Sequence, residues 1–417
     1  MVIGILTELL TRISSRKNSC FPQVAITGGD GTSSNGMRLL ERSRILVKQP
    51  LLGSACIAVL LVILALGLWP FHSPRNAVTW LKDHSGILFG TYGTVMSTDA
   101  FQAGGSPDPQ PCSIELWLQP ANDHGGAVLT FYAPDNPFRL SVQQSLTDLM
   151  LQSGRSGSPG LARKQRIYFS DVLLPGRPVF VTVTTGLQGM SAYVDGTLFR
   201  TTRGFQLKPG ACSGRLIVGD SPQQPSPWSG QLRGLAIYGS ELTAPTVLRH
   251  YDTWTRTGRP DITEQDRTAA LYLFDERAGN VVHNRARPGV DLVIPDTYAV
   301  LDKIFLEPFW DEFDMSWSYW TNILKNIVGF VPLGLCFCAY FALAHKTKRA
   351  GLVSVMLGFA VSLTIEVLQG YLPTRDSGTT DLITNTLGTW MGVLLYHAVR
   401  AQWELRRRIQ EAARIPD

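Results

Sequence analysis

Residues Leu51–Phe71 read LLGSACIAVLLVILALGLWPF, without a single charge. A helix of about 20 apolar residues spans the ~30 Å hydrocarbon core of a bilayer. This run therefore excludes an ordinary water-soluble chain. Signal-peptide cores are shorter, ~7–15 residues, and end at a small-residue cleavage site. No such site follows here, which predicts an uncleaved anchor with Trp69 and Phe71 at its interfacial end. Charged residues make up only 17% of the chain, against about 25% in soluble domains, and the deficit comes from a few very apolar segments.

Three more such segments lie near the C-terminus, at 326–344, 350–370 and 382–399. Basic residues cluster before the first span (Arg38, Arg42, Arg44, Lys48), between the second and third (Lys346, Lys348, Arg349) and after the fourth (Arg400, Arg406, Arg407, Arg408, Arg414). If four spans alternate, every basic cluster falls on one side, which the positive-inside rule makes the cytoplasm. The expectation is a multi-pass plasma-membrane protein with both termini cytoplasmic. Residues 72–100 then form a linker, 101–300 an extracytoplasmic domain and 401–417 a basic tail. The net charge of +5 reports membrane orientation, with no nucleic-acid partner expected. Residues 1–50 read as a cytoplasmic N-terminal region. Its first 36 residues, rich in Ser, Gly and Thr, are expected to be disordered, and Met37 is a plausible true start.

Between 101 and 300 the pattern changes to short alternating runs separated by Gly, Pro, Asn and Asp. Ser113–Gln119, Pro178–Thr184 and Met190–Val194 alternate, and Asp195-Gly196 between AYV and TLF is a hairpin signal. Strands at this spacing predict an all-β sandwich or barrel. The runs CSIELWLQP (112–120), FVTVTT (180–185), AYVDGTL (192–198), WSGQLRGLAIY (228–238) and AALYLFDERAG (269–279) resemble concanavalin A-like, laminin G-like jelly-roll domains. That resemblance implies an affinity for glycans in many relatives and Ca²⁺ in some, and in others only protein contacts. Trp117 and Trp228 are either sugar platforms or core residues, and alternation with apolar neighbours favours the core. Asp195 reads as a turn former rather than a Ca²⁺ ligand, and no cofactor is expected. Glu115, opposite the apolar face of its strand, reads as solvated. Cys112 and Cys212 alone fall in the outer region with a defined compartment, so they are expected to pair in an oxidising environment, two buried free thiols being the alternative.

The last three spans carry polar residues that are costly in lipid. Given the alternating topology, Asn322 and Asn326, Glu366 and Gln369, and Asp381 and Asn385 all fall at the outer ends of their helices. Each pair is spaced i,i+3 or i,i+4 and shares a face. Asn326, Glu366, Gln369, Arg375, Asp376, Asp381 and Asn385 are expected to converge on one polar pocket, with Arg375 as counter-ion to Glu366 or Asp381. Gly388 and Gly392 form a GxxxG step for close helix approach. The motifs NIVGFVPLG (326–334), EVLQ (366–369), RD (375–376) and DLITNTLGTWMG (381–392) resemble the VanZ-like family, named from a teicoplanin-resistance membrane protein. Asn322 departs from the acidic residue expected there.

The fold class expected is thus a four-span membrane helical bundle carrying an all-β concanavalin A-like jelly roll. The resemblance implies a bacterial cell-envelope protein with a glycan- or partner-recognising outer domain, linked to glycopeptide resistance or envelope polysaccharide. Its partner in the membrane would be a lipid or lipid-linked envelope molecule. Two rivals stay open: an intramembrane enzyme acting through Glu366, Asp381 and Arg375, and a scaffold with no ligand. His345 and His397 lie far along the chain from the carboxylates at the opposite helix ends, so no nucleophile–base pair is apparent.

Overall fold

The computed structural model describes residues 33–102, 111–154, 165–186, 189–205, 210–223, 225–286, 289–313, 315 and 317–413. The chain divides into two units at Ser54/Ala55. Helix α1 (Ser33–Leu68) contains the apolar segment Pro50–Leu68. Of the N-terminal 36 residues, 1–32 lie outside the described residues, while 33–36 open this helix rather than a disordered tail.

Seventeen strands are described in the next region. In chain order they are β1 (Val78–Trp80), β2 (Ile87–Phe89), β3 (Val95–Ser97), β4 (Phe101–Gln102), β5 (Cys112–Pro120), β6 (Gly126–Ala133), β7 (Asn136–Ser145), β8 (Asp148–Ser153) and β9 (Gln165–Phe169). There follow β10 (Val179–Gly186), β11 (Gly189–Val194), β12 (Thr197–Thr202), β13 (Ser213–Val218) and β14 (Gly230–Tyr238). Helix α2 (Ala244–Thr257) then leads to β15 (Thr268–Tyr272), β16 (Val281–Val282) and β17 (Leu292–Val293). One sheet runs β1-β2-β14-β5-β10-β11-β12 with β15 also on β14. The other runs β16-β17-β3-β13-β6-β7-β8-β9 with β4 also on β13. The ladders are antiparallel, as a jelly-roll sandwich requires. Strands β1 to β3 fall inside 72–100, the stretch read as linker, because each run there is too short to show alternation.

Alternation along β5 explains the core. Ile114, Leu116 and Leu118 enter the core between the sheets with Val181, Val183, Leu235 and Ile237. Trp228 is fully buried there, and its indole N–H donates to Gln144 Oε1 at 2.7 Å. The opposite face of β5 is not open to water. Helix α2 lays Val247, His250 and Trp254 over it, packing on Phe180, Tyr193 and Tyr238, with Trp117 at the edge of this second cluster. Glu115 is consequently 0% exposed, which corrects its reading as a solvated residue. Strand alternation reports which face a residue occupies, not whether a later helix covers it.

The Asp195-Gly196 turn closes β11 onto β12 with both residues at positive φ, 50° and 76°, the geometry of a type I′ hairpin. Asp195 Oδ1 accepts the Phe180 N–H at 3.0 Å, so the side chain serves the turn. Cys112 and Cys212 form a disulfide with Cα atoms 6.5 Å apart, tying β5 of one sheet to the residue before β13 of the other.

The C-terminal region comprises the short helix α3 (Phe309–Glu312) and helices α4 (Trp317–Leu343), α5 (Ala350–Gly370) and α6 (Thr379–Ala412). Among the described residues three helical segments are long and apolar enough to cross a membrane: Pro50–Leu68, Trp317–Leu343 and Ala350–Gly370. Helix α6, which holds the fourth expected span, is not among them. Its first four turns carry Thr379, Thr380, Asp381, Thr384, Asn385, Thr386 and Thr389, which dilute its hydropathy.

Candidate functional site

Three carboxylates meet where α3, α5 and the start of α6 adjoin. A helix leaves its first N–H groups without partners inside the helix, and two carboxylates fill that role for α6. Glu366 Oε2 accepts the Gly378 N–H and Glu312 Oε2 accepts the Thr380 N–H, each at 2.9 Å. A β-carbon at Gly378 would displace the Glu312 carboxylate from this position. The third carboxylate, Asp381 in the first turn of α6, accepts from Asn326 Nδ2 of α4 at 2.7 Å. Glu366 feels the charges of both Asp381 and Glu312, and Asp381 that of Glu312. Glu366 is 1% exposed.

One turn deeper, Asn385 Nδ2 of α6 donates to Ser362 Oγ of α5 at 3.0 Å. Asn385 sits four residues beyond Asp381, and Ser362 four before Glu366. Asn385 is 4% exposed, yet among the described residues its Oδ1 has no hydrogen-bond partner, and the same holds for the buried Thr380 Oγ1. Below this level Gly388 and Gly392 press on α4, where a β-carbon would strike the carbonyl oxygens of Ile327 and Val331.

Three residues expected in the pocket do something else. The Arg375 guanidinium donates to the carbonyls of Leu66 and Trp69, and Gln369 Nε2 donates to the Gly67 carbonyl at 2.8 Å. The expectation that Arg375 pairs with Glu366 or Asp381 is thereby corrected. The last turn of α1 leaves carbonyls without helical partners, and a cation at a helix C-terminus also meets the negative end of its dipole. Asp376 is exposed and faces Lys303 Nζ at 3.9 Å. Asn322 is exposed as well. Glu312 was not singled out from the sequence. Its only signal is the run PFWDEFD (308–314), which sets carboxylates among aromatics just before a span.

A strap links the cluster to the sandwich. Tyr298 donates its hydroxyl to Asp220, whose Oδ1 also accepts the Ser221 and Ser226 N–H groups at 2.7 Å. Gln223 Nε2 reaches Asp302 at 3.1 Å. Further on, the Glu307 N–H donates to Ser377 O at 2.9 Å, and the Thr379 N–H donates to Glu307 O at 2.8 Å. Glu312 is thus delivered by a segment pinned at both ends. Burial pushes the Asp220 carboxyl up to about 6 despite its three donors.

In the sandwich, Glu115 is the centre of a closed network. Tyr238 donates to it at 2.7 Å, His250 Nδ1 lies 3.2 Å from both its oxygens, and Thr182 Oγ1 is at 3.4 Å. His250 Nε2 faces Asp266 Oδ2 at 3.4 Å, and Arg249 reaches the same oxygen at 3.2 Å. Burial disfavours the imidazolium, but the Glu115 hydrogen bond and charge, joined by Asp266, raise the His250 pKa above its ordinary value. Trp117 carries the Arg233 guanidinium over its ring at 5.8 Å. Among the described residues no group of three or more His, Cys, Asp or Glu could hold a metal ion.

Several solved structures are similar to the sandwich at low identity. A heptameric SAP-like pentraxin from Limulus polyphemus is 13% identical, with 53% of this chain and 95% of that chain covered and a TM-score of 0.33. For a putative carbohydrate binding protein from Bacteroides ovatus the values are 10%, 55%, 63% and 0.34. For the binding domain of botulinum neurotoxin DC in complex with SialylT they are 16%, 43%, 45% and 0.32, so the match spans less than half of that chain. No curated protein matches the chain. Two families do: residues 90–248 match the concanavalin A-like lectin/glucanases superfamily, and residues 274–400, which include the strap and all three carboxylates, match VanZ/LLP1.

Proposed function

We propose that this is a four-span cell-envelope membrane protein whose sandwich recognises a glycan or envelope partner outside the membrane. On this reading the carboxylate cluster binds an amphiphilic or lipid-linked molecule at the outer leaflet. The observation that carries it is the meeting of Glu312, Glu366 and Asp381 at the end of the helices that also bears the sandwich.

Helix α6 fits a span because its faces are inverted relative to a soluble helix. Its buried residues include Thr384, Asn385, Gly388 and Thr389, while Ile383, Leu387, Trp390, Met391, Leu394 and Leu395 are exposed. Lipid solvates the second set and water does not. Exposed aromatics, Trp69, Phe309, Trp310, Phe313, Trp317 and Tyr371, surround the carboxylate end, as an interfacial belt would. The basic clusters lie at the other ends of α4, α5 and α6, which by the positive-inside rule supports an outer position for the carboxylates. Binding is favoured over hydrolysis because no nucleophile–base pair accompanies the carboxylates among the described residues. A role in glycopeptide resistance belongs to this proposal and is supported by the VanZ-like resemblance alone.

Single-cysteine probes at Arg200, Asp376, Thr347 and Gln410 test the placement in cells with a membrane-impermeant maleimide. The first two should label from outside and the last two only after lysis; external labelling at Thr347 contradicts the proposal. Binding of the full chain in nanodiscs to an array of bacterial glycans tests the sandwich, with no bound glycan leaving it a protein-contact or spacer domain.

A further inference from the structure

The start of α5 lacks what a helix start ordinarily has. Arg349 occupies the cap position without a side-chain hydrogen bond, and the first turn holds no acidic residue. The Ala350 and Val353 N–H groups turn back to the Thr347 and Arg349 carbonyls, while those of Gly351 and Leu352 have no partner among the described residues. At α6 the Gly378 and Thr380 N–H groups are met by carboxylates. At α5 the chain supplies Lys348 and Arg349 instead, both exposed and without an ion pair among the described residues. Cations at the positive end of a helix dipole are unfavourable, and bare N–H groups there favour an anion.

A second observation comes from another helix. Tyr396 of α6 shares a buried cluster with Ala350, the first residue of α5, and with Cys338 of α4. It is 8% exposed, and its hydroxyl has no hydrogen-bond partner among the described residues. That hydroxyl faces the Arg400 guanidinium without closing a hydrogen bond on it. It is therefore aimed toward the end of the bundle at which α5 begins. The next residue of α6 confirms the contact: a β-carbon on Gly351 would lie 3.7 Å from His397 Nε2.

The groups at this junction are donors and cations. They call for an anion with several acceptor oxygens, and a membrane interface supplies such anions chiefly as lipid phosphates. We infer that the junction of α5 and α6 binds a phosphate group through the Gly351 and Leu352 N–H groups, the Tyr396 hydroxyl, Lys348 and Arg349. Its assignment to the cytoplasmic leaflet rests on the proposed placement of the basic helix ends. The phosphate belongs either to an anionic lipid headgroup or to free phosphate.

The test titrates the full chain in an uncharged maltoside micelle and reads adducts by native mass spectrometry. The probes are phosphatidylglycerol, diacylglycerol with the same acyl chains, and inorganic phosphate. Phosphatidylglycerol should bind at least ~10-fold more tightly than diacylglycerol. An inorganic-phosphate adduct without that lipid preference identifies free phosphate as the source. Arg349→Gln and Tyr396→Phe should each lower phosphate binding by about 10-fold, the loss of one charge-assisted hydrogen bond. Tyr396→Phe deletes only a hydroxyl that bonds to nothing in the fold, so its result stands even if Arg349→Gln misfolds. Arg406→Gln, an exposed arginine farther along α6, should leave binding unchanged. Equal binding of the two lipids with no phosphate adduct overturns the site. So does a loss in Arg406→Gln as large as in Arg349→Gln, which would make the effect one of general surface charge. External maleimide labelling at Thr347 overturns the cytoplasmic placement alone.

Discussion

Glu115 and Glu366 are both buried carboxylates, 0% and 1% exposed, yet their surroundings differ in one respect. Glu115 has Tyr238 and Thr182 as donors and His250 Nδ1 beside it, and its hydrogen bond and charge favour the imidazolium form of His250. Glu366 has one N–H donor, and its charged neighbours Asp381 and Glu312 are negative. A saturated buried ion holds a fold together. An unsaturated one is costly to the fold. Asp220 falls between the two, with three donors and no cation in direct contact among the described residues.

The largest expected effect comes from emptying the saturated site. His250→Ala leaves Glu115 buried without its facing imidazole, while Arg249 still reaches Asp266, and should cost ~3–5 kcal/mol, read by chemical denaturation of the sandwich signal. Because its folded pKa is raised, the wild-type contribution of His250 is full below its ordinary pKa of 6.5 and fades as pH rises through the raised value. An unchanged denaturation midpoint would erase the contrast between the two regions. Cys112→Ser opens a loop closed over 100 residues and should cost ~2–5 kcal/mol, with the loss visible only under oxidising conditions.

Asp220 sharpens the comparison through pH. Its folded pKa of about 6 lies above the ordinary aspartate value, so the folded state holds its proton more tightly than the unfolded state. Stability is then greatest at low pH and declines as pH rises through 4 to 6, by at most ~3 kcal/mol. Asp220→Asn should flatten melting temperature against pH in that window, and an unaltered slope would remove Asp220 as its source. A smaller effect is expected from Arg375→Gln. It withdraws a charged donor from the end of α1 and should cost about 1–2 kcal/mol, without changing amphiphile binding by the carboxylates.

These contrasts were unevenly legible in the sequence. Glu366, Asp381 and Asn326 could be placed together because span order and helical spacing determine depth and face. The Asp195-Gly196 hairpin, the Cys112–Cys212 pair and the alternation of β5 were readable for similar local reasons. Arg375 was misplaced because charge pairing looks decisive in a sequence, whereas the unpartnered carbonyls of Leu66 and Trp69 exist only once α1 ends beside it. Glu115 was misread because the helix that covers it begins 129 residues later, at Ala244. Glu312 went unnoticed because its position depends on the strap pinned at Tyr298 and Glu307, a tertiary arrangement without periodicity.

The central claim is that the carboxylate cluster exists for a ligand while the Glu115 network exists for the fold. Paired measurement of melting temperature in the full chain tests it, comparing Glu115→Gln with Glu366→Gln and Asp381→Asn. Glu115→Gln should melt several degrees lower. The two membrane variants should melt at or above the wild-type temperature, since each removes like-charge repulsion and keeps an acceptor for Gly378 or Asn326. Membrane variants that melt as low as Glu115→Gln would contradict the claim and make the cluster a structural network.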